Sequence, residues 1–192
     1  RDFFADFCRT VASAVAGTMR AQALRVGRSV TGDIERATRV LARFGEIVSA
    51  GETYADLQRL HAASRQLIAE TARYDAVLMP IIAHPPLACG AMDPKGADEL
   101  IENLLDKLHL TPLLKLKPFF GQLMDKSLWF THWPAIQNVS GQPSIALPVH
   151  VTDAGLPLGI QAAGRPGDEE TLLSLAAQME KISGWRGRMV PS

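Results

Sequence analysis

Apolar and small residues fill two short runs near the end of the chain, 144–149 and 158–163, on either side of Thr152-Asp153-Ala154-Gly155. The intervening four residues have turn chemistry, because Asp bonds nearby backbone and Gly tolerates positive φ, so the pattern predicts a pair of adjacent strands. Each run is nearly continuous rather than alternating, which predicts burial on both faces within a layered α/β domain. Gly159 and Gly164 mark a bulge or a close backbone approach. Arg165-Pro166-Gly167 then breaks the strand. A helix follows over 168–182, with Asp168 or Gly167 as N-cap, Glu169 and Glu170 at its positive end, and Leu172, Leu175, Ala176 and Met179 facing inward. Gly184 ends it, and Trp185-Arg186-Gly187-Arg188 is expected as a frayed tail.

Upstream the period changes to that of helices. Phe3, Phe7, Val11, Ala14 and Val15 predict one or two amphipathic helices over 1–28, with Gly17 and Gly27 as interruptions. A second helix is expected to start at an Asp33 cap, carry Ile34, Ala37, Val40, Leu41 and Phe44 on one face, and stop at Gly45. A third begins at Thr53, where Thr53 and Asp56 form a capping box, with Tyr54, Leu57, Leu60, Ser64, Leu67, Ile68 and Thr71 recurring on its inner face. His61 and Arg65 sit on or beside that face, His61 read as a boundary residue over a catalyst and Arg65 as an ion-pairing or helix-packing residue over a substrate clamp. The run Tyr74 to Ile82, closed by His84-Pro85-Pro86, reads as a buried strand entering a loop. Residues 99–110 read as a helix with Leu100, Ile101, Leu104, Leu105 and Leu108 on one side. Beyond it, 113–124 is too apolar for a solvated linker and serves either as core or as the wall of an apolar pocket. An aromatic cluster, Trp129-Phe130-Thr131-His132-Trp133, leads into a short helix stopped at Gly141.

Composition narrows the class. The 192 residues are 47% hydrophobic, enough for one sizeable core, and 20 Lys+Arg balance 20 Asp+Glu, so neither nucleic acid nor an anionic membrane is an expected partner. Cys8 and Cys89 lack C-x-x-C spacing, so neither a disulfide framework nor a zinc site is indicated, and a reducing, cytoplasmic setting is the expectation. No apolar run approaches the roughly 20 residues of a membrane span. Arg1-Asp2-Phe3-Phe4 opens without Met or a signal-peptide pattern and reads as a cut within a longer chain.

Three blocks in order carry a family resemblance. Asn138-x-x-Gly141-Gln142-Pro143-Ser144-Ile145-Ala146-Leu147-Pro148 comes first, then Gly155-Leu156-Pro157-Leu158-Gly159-Ile160-Gln161, then Gly164-Arg165-Pro166-Gly167-Asp168-Glu169-Glu170-Thr171-Leu172-Leu173. Together they resemble the C-terminal part of an amidase signature family hydrolase, and Tyr74-Asp75 with Leu78 is similar to a further block of that family, departing at Met79. The resemblance implies an α/β fold with a mixed β-sheet flanked by helices, and a single domain of which 1–192 is the C-terminal portion. Within it, 1–72 is helical, 73–86 strand and loop, 87–128 a variable helical specificity segment, and 129–192 the strand–turn–strand–helix core. It also implies that the segment leading to Asn138 faces substrate, which marks Phe130, Thr131, Trp133 and Asn138 as substrate-binding candidates. The position matching Thr131 contacts the leaving or charged end of the substrate in some amidotransferases of the family. A hydroxyl capping the short helix is the equally open reading of Thr131.

Amide hydrolysis through an acyl-enzyme needs a nucleophile, a base and oxyanion donors. The family resemblance implies a Ser, a second Ser and a Lys near a Gly/Ser-rich loop, and this chain has no such loop. Ser140-Gly141 matches a structural position, and Lys95, Lys107, Lys115, Lys117, Lys126 and Lys181 lie outside the matching blocks or on a solvent-facing helix end. No catalytic residue is therefore assigned, and the chain is expected to be inactive alone, serving as core and acyl-pocket wall of a full-length amidase. Cys89 with His84 lacks an orienting third group, Ser140 with His132 and Asp153 lacks a nucleophile elbow, and His84, His132 and His150 lack metal spacing. No metal and no cofactor is expected. The rival expectation is a non-catalytic binding or self-assembly module, a homodimer or a pairing through exposed strands.

Overall fold

Helix α1, Asp2–Val26, and helix α2, Arg36–Ile47, meet where Gly45 lies against the backbone of Ala12. A Cβ at Gly45 would overlap the Ala12 carbonyl, so glycine is kept inside α2 by close approach and does not stop the helix. Gly17 is likewise interior to one continuous α1, and Gly27, at φ 71°, follows its end. In this computed structural model the described residues are 2–93, 95–107, 112 and 132–185. They divide into two compact units, one from Arg1–Leu60 with Cys89–Ser127 and the other from His61–Ala88 with Leu128–Ser192.

The first unit is helical. Its apolar centre is small, with Ala12, Val40 and Phe44 buried and Leu41, Ile47 and Val48 packed on them. Asp33 does not cap α2: it lies in the 3-10 turn Thr31–Asp33 and pairs with Arg28, and Glu35 occupies the N-cap position. Helix α3, Ala50–Thr71, starts earlier than the Thr53 box predicts. Ser49 and Glu52 form the reciprocal box instead, the Glu52 carboxylate accepting from the Ser49 N–H at 2.7 Å and the Ser49 hydroxyl from the Glu52 N–H at 3.1 Å. Thr53 turns its hydroxyl to the Ser49 carbonyl.

Charge replaces apolar burial on the inner faces of this unit. Tyr54, expected inside, is 65% exposed, whereas Asp56 is 1% exposed. Arg9 grips Asp56 through Nε and Nη2, both at 2.8 Å, and Arg59 grips buried Asp6 through Nε at 2.7 Å and Nη2 at 3.0 Å. Each arginine also reaches the other acid, which closes a four-membered network between α1 and α3. Burial opposes ionisation of Asp6, but the hydrogen bond and charge of Arg59, with the charge of Arg9, hold its carboxyl below the ordinary 3.8. Helix α4, Ala97–Lys107, repeats the device. Its Leu100, Ile101 and Leu104, expected to face inward, are exposed, and Asn103 and Asp106 meet Arg36, Arg39 and Arg43 of α2. Those arginines recur at steps of three and four, so one stripe of α2 is cationic.

The second unit holds the sheet. Strands β1, Val77–Pro80, β2, Ser144–Val151, and β3, Pro157–Ala163, pair in the order β1-β3-β2, and all described pairs are antiparallel where a mixed sheet was expected. The predicted turn closes the β2–β3 hairpin, with Gly155 at φ 78° and the Thr152 hydroxyl accepting from the Leu156 N–H. Central β3 is buried over 161–163. Burial on both faces does not extend to the neighbours: β2 leaves Ser144, Ala146, Pro148 and His150 exposed, and Leu78 of β1 is 56% exposed, because both are edge strands among the described residues. Gly159 sits opposite the register shift between Leu147 and His150, where a Cβ would come within 3.1 Å of the Leu147 carbonyl oxygen. On one face lies a final helix, Glu169–Ser183, labelled α6 after α5, His132–Ser140. Leu172, Leu175, Ala176 and Met179 of α6 pack on Ile145, Leu147, Val149, Ile160 and Ala162. Trp185, expected in a frayed tail, packs on the same cluster, since the left-handed Gly184 turns the chain back.

Candidate functional site

Helix α5 carries the described part of the candidate site. Pro134 falls in its first turn, where a missing N–H costs nothing, and Gly141 at φ 70° ends it with an N–H bond to the Gln137 carbonyl at 2.9 Å. Ala135 and Gln137 are both buried, on sides of the helix about 160° apart. Gln161, in the middle of β3 and opposite Met79 and Ala146, donates through Nε2 to the Gln137 Oε1 at 3.1 Å. Since side chains alternate along a strand, Gln161 points to the sheet face opposite the one that packs on α6.

A second set of neutral bonds holds the end of α5. Gln142, also buried, donates to the Gly164 carbonyl at 3.0 Å and to the Thr71 hydroxyl at 3.3 Å, while the Gly164 N–H donates to the Pro143 carbonyl at 2.9 Å. Ser64 of α3 donates to the Val139 carbonyl at 3.1 Å. Buried amides are retained only when bonded, so these residues fix the helix, the loop after it and the end of β3 as one piece. Sequence reasoning passed over Gln137, Gln142 and Gln161. The available signal was a polar amide inside runs that are otherwise apolar.

Two of the four substrate-binding candidates, Phe130 and Thr131, lie outside the described residues, as does the apolar stretch 113–124. Trp133 is half-buried and Asn138 exposed. Five residues apart on a helix, the two point about 140° away from each other, so they do not converge on one spot. His61 and Arg65 are both exposed on α3.

The other chemistries find no geometry among the described residues. Cys8 and Cys89 are free thiols, and burial pushes the Cys8 thiol up to about 11, away from nucleophilic character. His84 Nδ1 lies 3.0 Å from the Pro85 carbonyl. Ser140 accepts from the Gln142 N–H. No group of three or more His, Cys, Asp or Glu that could hold a metal occurs among the described residues, and no described helix is long and apolar enough to cross a membrane. An open depression of about 610 Å³ lies between β1 and α6, bordered by Asp75, Leu78, Asp168, Thr171 and Gln178. Arg165 bridges Asp75 at 3.1 Å and Asp168 at 3.2 Å, and the bonds from Thr171 and Arg165 hold the Asp168 carboxyl below its ordinary range. That depression is on the α6 side of the sheet, whereas Gln161 and α5 meet on the other.

Residues 117–173 match the family model described as Amidase. The described part of that match is α5, β2, β3 and the first turn of α6, the same framework that the buried glutamines tie together. The chain is 26% identical over 144 residues to an amidase-named protein of Synechocystis, covering 74% of this chain and 24% of the relative. It is 30% identical over 155 residues to the "Putative amidase AmiB2" of Mycobacterium tuberculosis, covering 81% and 29%. Among solved structures, 6-aminohexanoate cyclic dimer hydrolase complexed with substrate superposes on 99% of this chain and 36% of its own, at a TM-score of 0.74 and 22% identity. The chain thus spans about a quarter to a third of the length of the proteins it matches.

Proposed function

The chain belongs to the amidase family, and from that premise we propose that it is the C-terminal portion of a hydrolase of linear carboxylic amides, acting through a serine acyl-enzyme. Its part is to supply the core and the wall of the acyl pocket. The catalytic Ser, second Ser and Lys come from polypeptide outside these residues, so the chain alone turns over no amide. One observation carries the reading: the described part of the matched segment, 132–173, coincides with a framework whose buried amides and apolar core serve to hold one shape, while no described side chain is arranged as nucleophile and base. Phe130, Thr131, Trp133 and Asn138 are the proposed substrate-facing residues, with Trp133 on the sheet-facing side of α5. The aromatic and aliphatic residues of 113–133 favour an acyl, aryl or oligoamide substrate over a small charged one.

The test is turnover of a panel of aryl and alkyl amides by this chain, by a family-length protein containing it, and by that protein with its loop serine changed to alanine. Activity confined to the unmutated family-length protein supports the reading. Turnover by the 192-residue chain would mean that a nucleophile within it has been overlooked. A second reading, a non-catalytic module that self-associates, is favoured by one feature: both edges of the three-stranded sheet are open among the described residues, and open edges recruit strands. A concentration-dependent dimer without any amidase activity in the family-length protein would support it.

A further inference from the structure

We propose that Gln137 and Gln161 are a positioning pair, a single neutral amide clasp that sets the rotation of α5 on the sheet and thereby the place of Trp133. The inference rests on the reading that α5 borders an acyl pocket. Trp133 and Gln137 are four residues apart and share one side of the helix. Any roll of α5 about its axis moves both together. The Gln161 Nε2 bond to Gln137 Oε1 ties the body of α5 to central β3, while the Ser64 and Gln142 bonds hold its C-terminal end and the loop beyond. Apolar contacts along a short helix tolerate sliding, since they have no direction. A buried hydrogen bond does not, because it fails with a small change in angle and leaves two desolvated amides. Both glutamines are at least nine-tenths buried, so water does not take over the bond without rearrangement. The clasp therefore selects one orientation of the helix, and with it one place for an aromatic wall residue.

The experiment is fluorine NMR of the family-length protein labelled with 5-fluorotryptophan, with the Trp133 line assigned by its loss in Trp133→Phe, combined with steady-state kinetics on an aryl amide. The key variant is the double substitution Gln137→Leu with Gln161→Leu, because replacing both partners by apolar groups of similar shape leaves stability nearly unchanged. The expected result is a shifted or split Trp133 line, an unmoved Trp185 line, and a KM about tenfold higher with kcat within about threefold, the mark of lost uniform binding. Gln137→Glu keeps the acceptor for Gln161 Nε2, and it should restore the single Trp133 line and most of KM. If the double variant does not fold, Gln161→Met provides the same readout. An unmoved Trp133 line in a folded variant lacking the bond would overturn the proposal. A moved line with unchanged KM would support the clasp while sinking the reading that α5 lines the pocket, so the two failures are distinguishable.

Discussion

The helical unit and the sheet unit solve the same problem with opposite means. In the first, Asp6, Arg9, Asp56 and Arg59 join α1 to α3, and Arg36, Arg39 and Arg43 join α2 to α4, around an apolar centre of only a few side chains. In the second, Leu147, Ala162 and Leu172 anchor a larger apolar cluster, and the buried polar groups are neutral amides and hydroxyls. The ion pairs of its Arg165 are on the surface. Charged clamps are directional but depend on ionisation and ionic strength, whereas apolar contact and neutral hydrogen bonds depend on neither. The described part of the family match falls on the neutral unit, which suits a framework that has to keep one geometry.

The contrast can be broken or sharpened by measurement. Leu147→Ala, at a side chain 1% exposed, should cost about 3 kcal/mol through lost burial and a cavity, with hydrogen-exchange protection falling over β2, β3 and α6 and holding over α1 and α2. A loss well under 1 kcal/mol would mean that the sheet unit does not depend on that cluster. Asp56→Ala leaves Arg9 and Arg59 to share Asp6 alone, and because Arg59 is about half exposed the cost should be about 2 kcal/mol, below that of a fully buried pair, and confined to the helical unit. Acid should separate the units without any mutation. Asp6 and Asp106 have carboxyl pKa values lowered on folding, Asp106 chiefly by its hydrogen bond to Arg39. Their contribution is therefore complete above the unfolded value of about 4 and is lost as pH falls through the lower folded values. Amides of α1, α2 and α4 should lose protection below about pH 4 before those of the sheet; simultaneous loss would contradict the contrast. Ser49→Ala removes half of the capping box at the start of α3 and should cost about 1 kcal/mol, read from a denaturation midpoint. Smallest of all, 1 M NaCl should cost each unit no more than a few tenths of a kcal/mol, through screening of exposed pairs such as Arg28 with Asp33 and Arg165 with Asp75.

Legibility followed the same division. The β2–β3 hairpin, its turn, and α6 with its inward residues could all be read from local pattern, since the signals for strands, Gly155 and Gly184 lie within a few residues of the elements they define. The helical unit misled at its faces. Tyr54 and Leu100 carry apolar periodicity and are exposed, while Asp6, Asp56 and Asp106 face inward against arginines that come from other helices. The site divides similarly: Trp133 stands just before a recognisable block and Asn138 opens it, but their divergence around α5 is a matter of helix rotation.

Local order and family were therefore within reach of the chain's own residues, because turn chemistry, period and motif spacing act over short distances. The tertiary structure alone decided which acids are buried, that Gly45 admits Ala12 at a helix crossing, and that Gln137 meets Gln161. Each of these involves partners at least 24 positions apart, even where, as for Asp6 and Asp56, an arginine three residues away joins in. Whether a polar group may be buried depends on the partner that meets it there, and no local pattern names that partner.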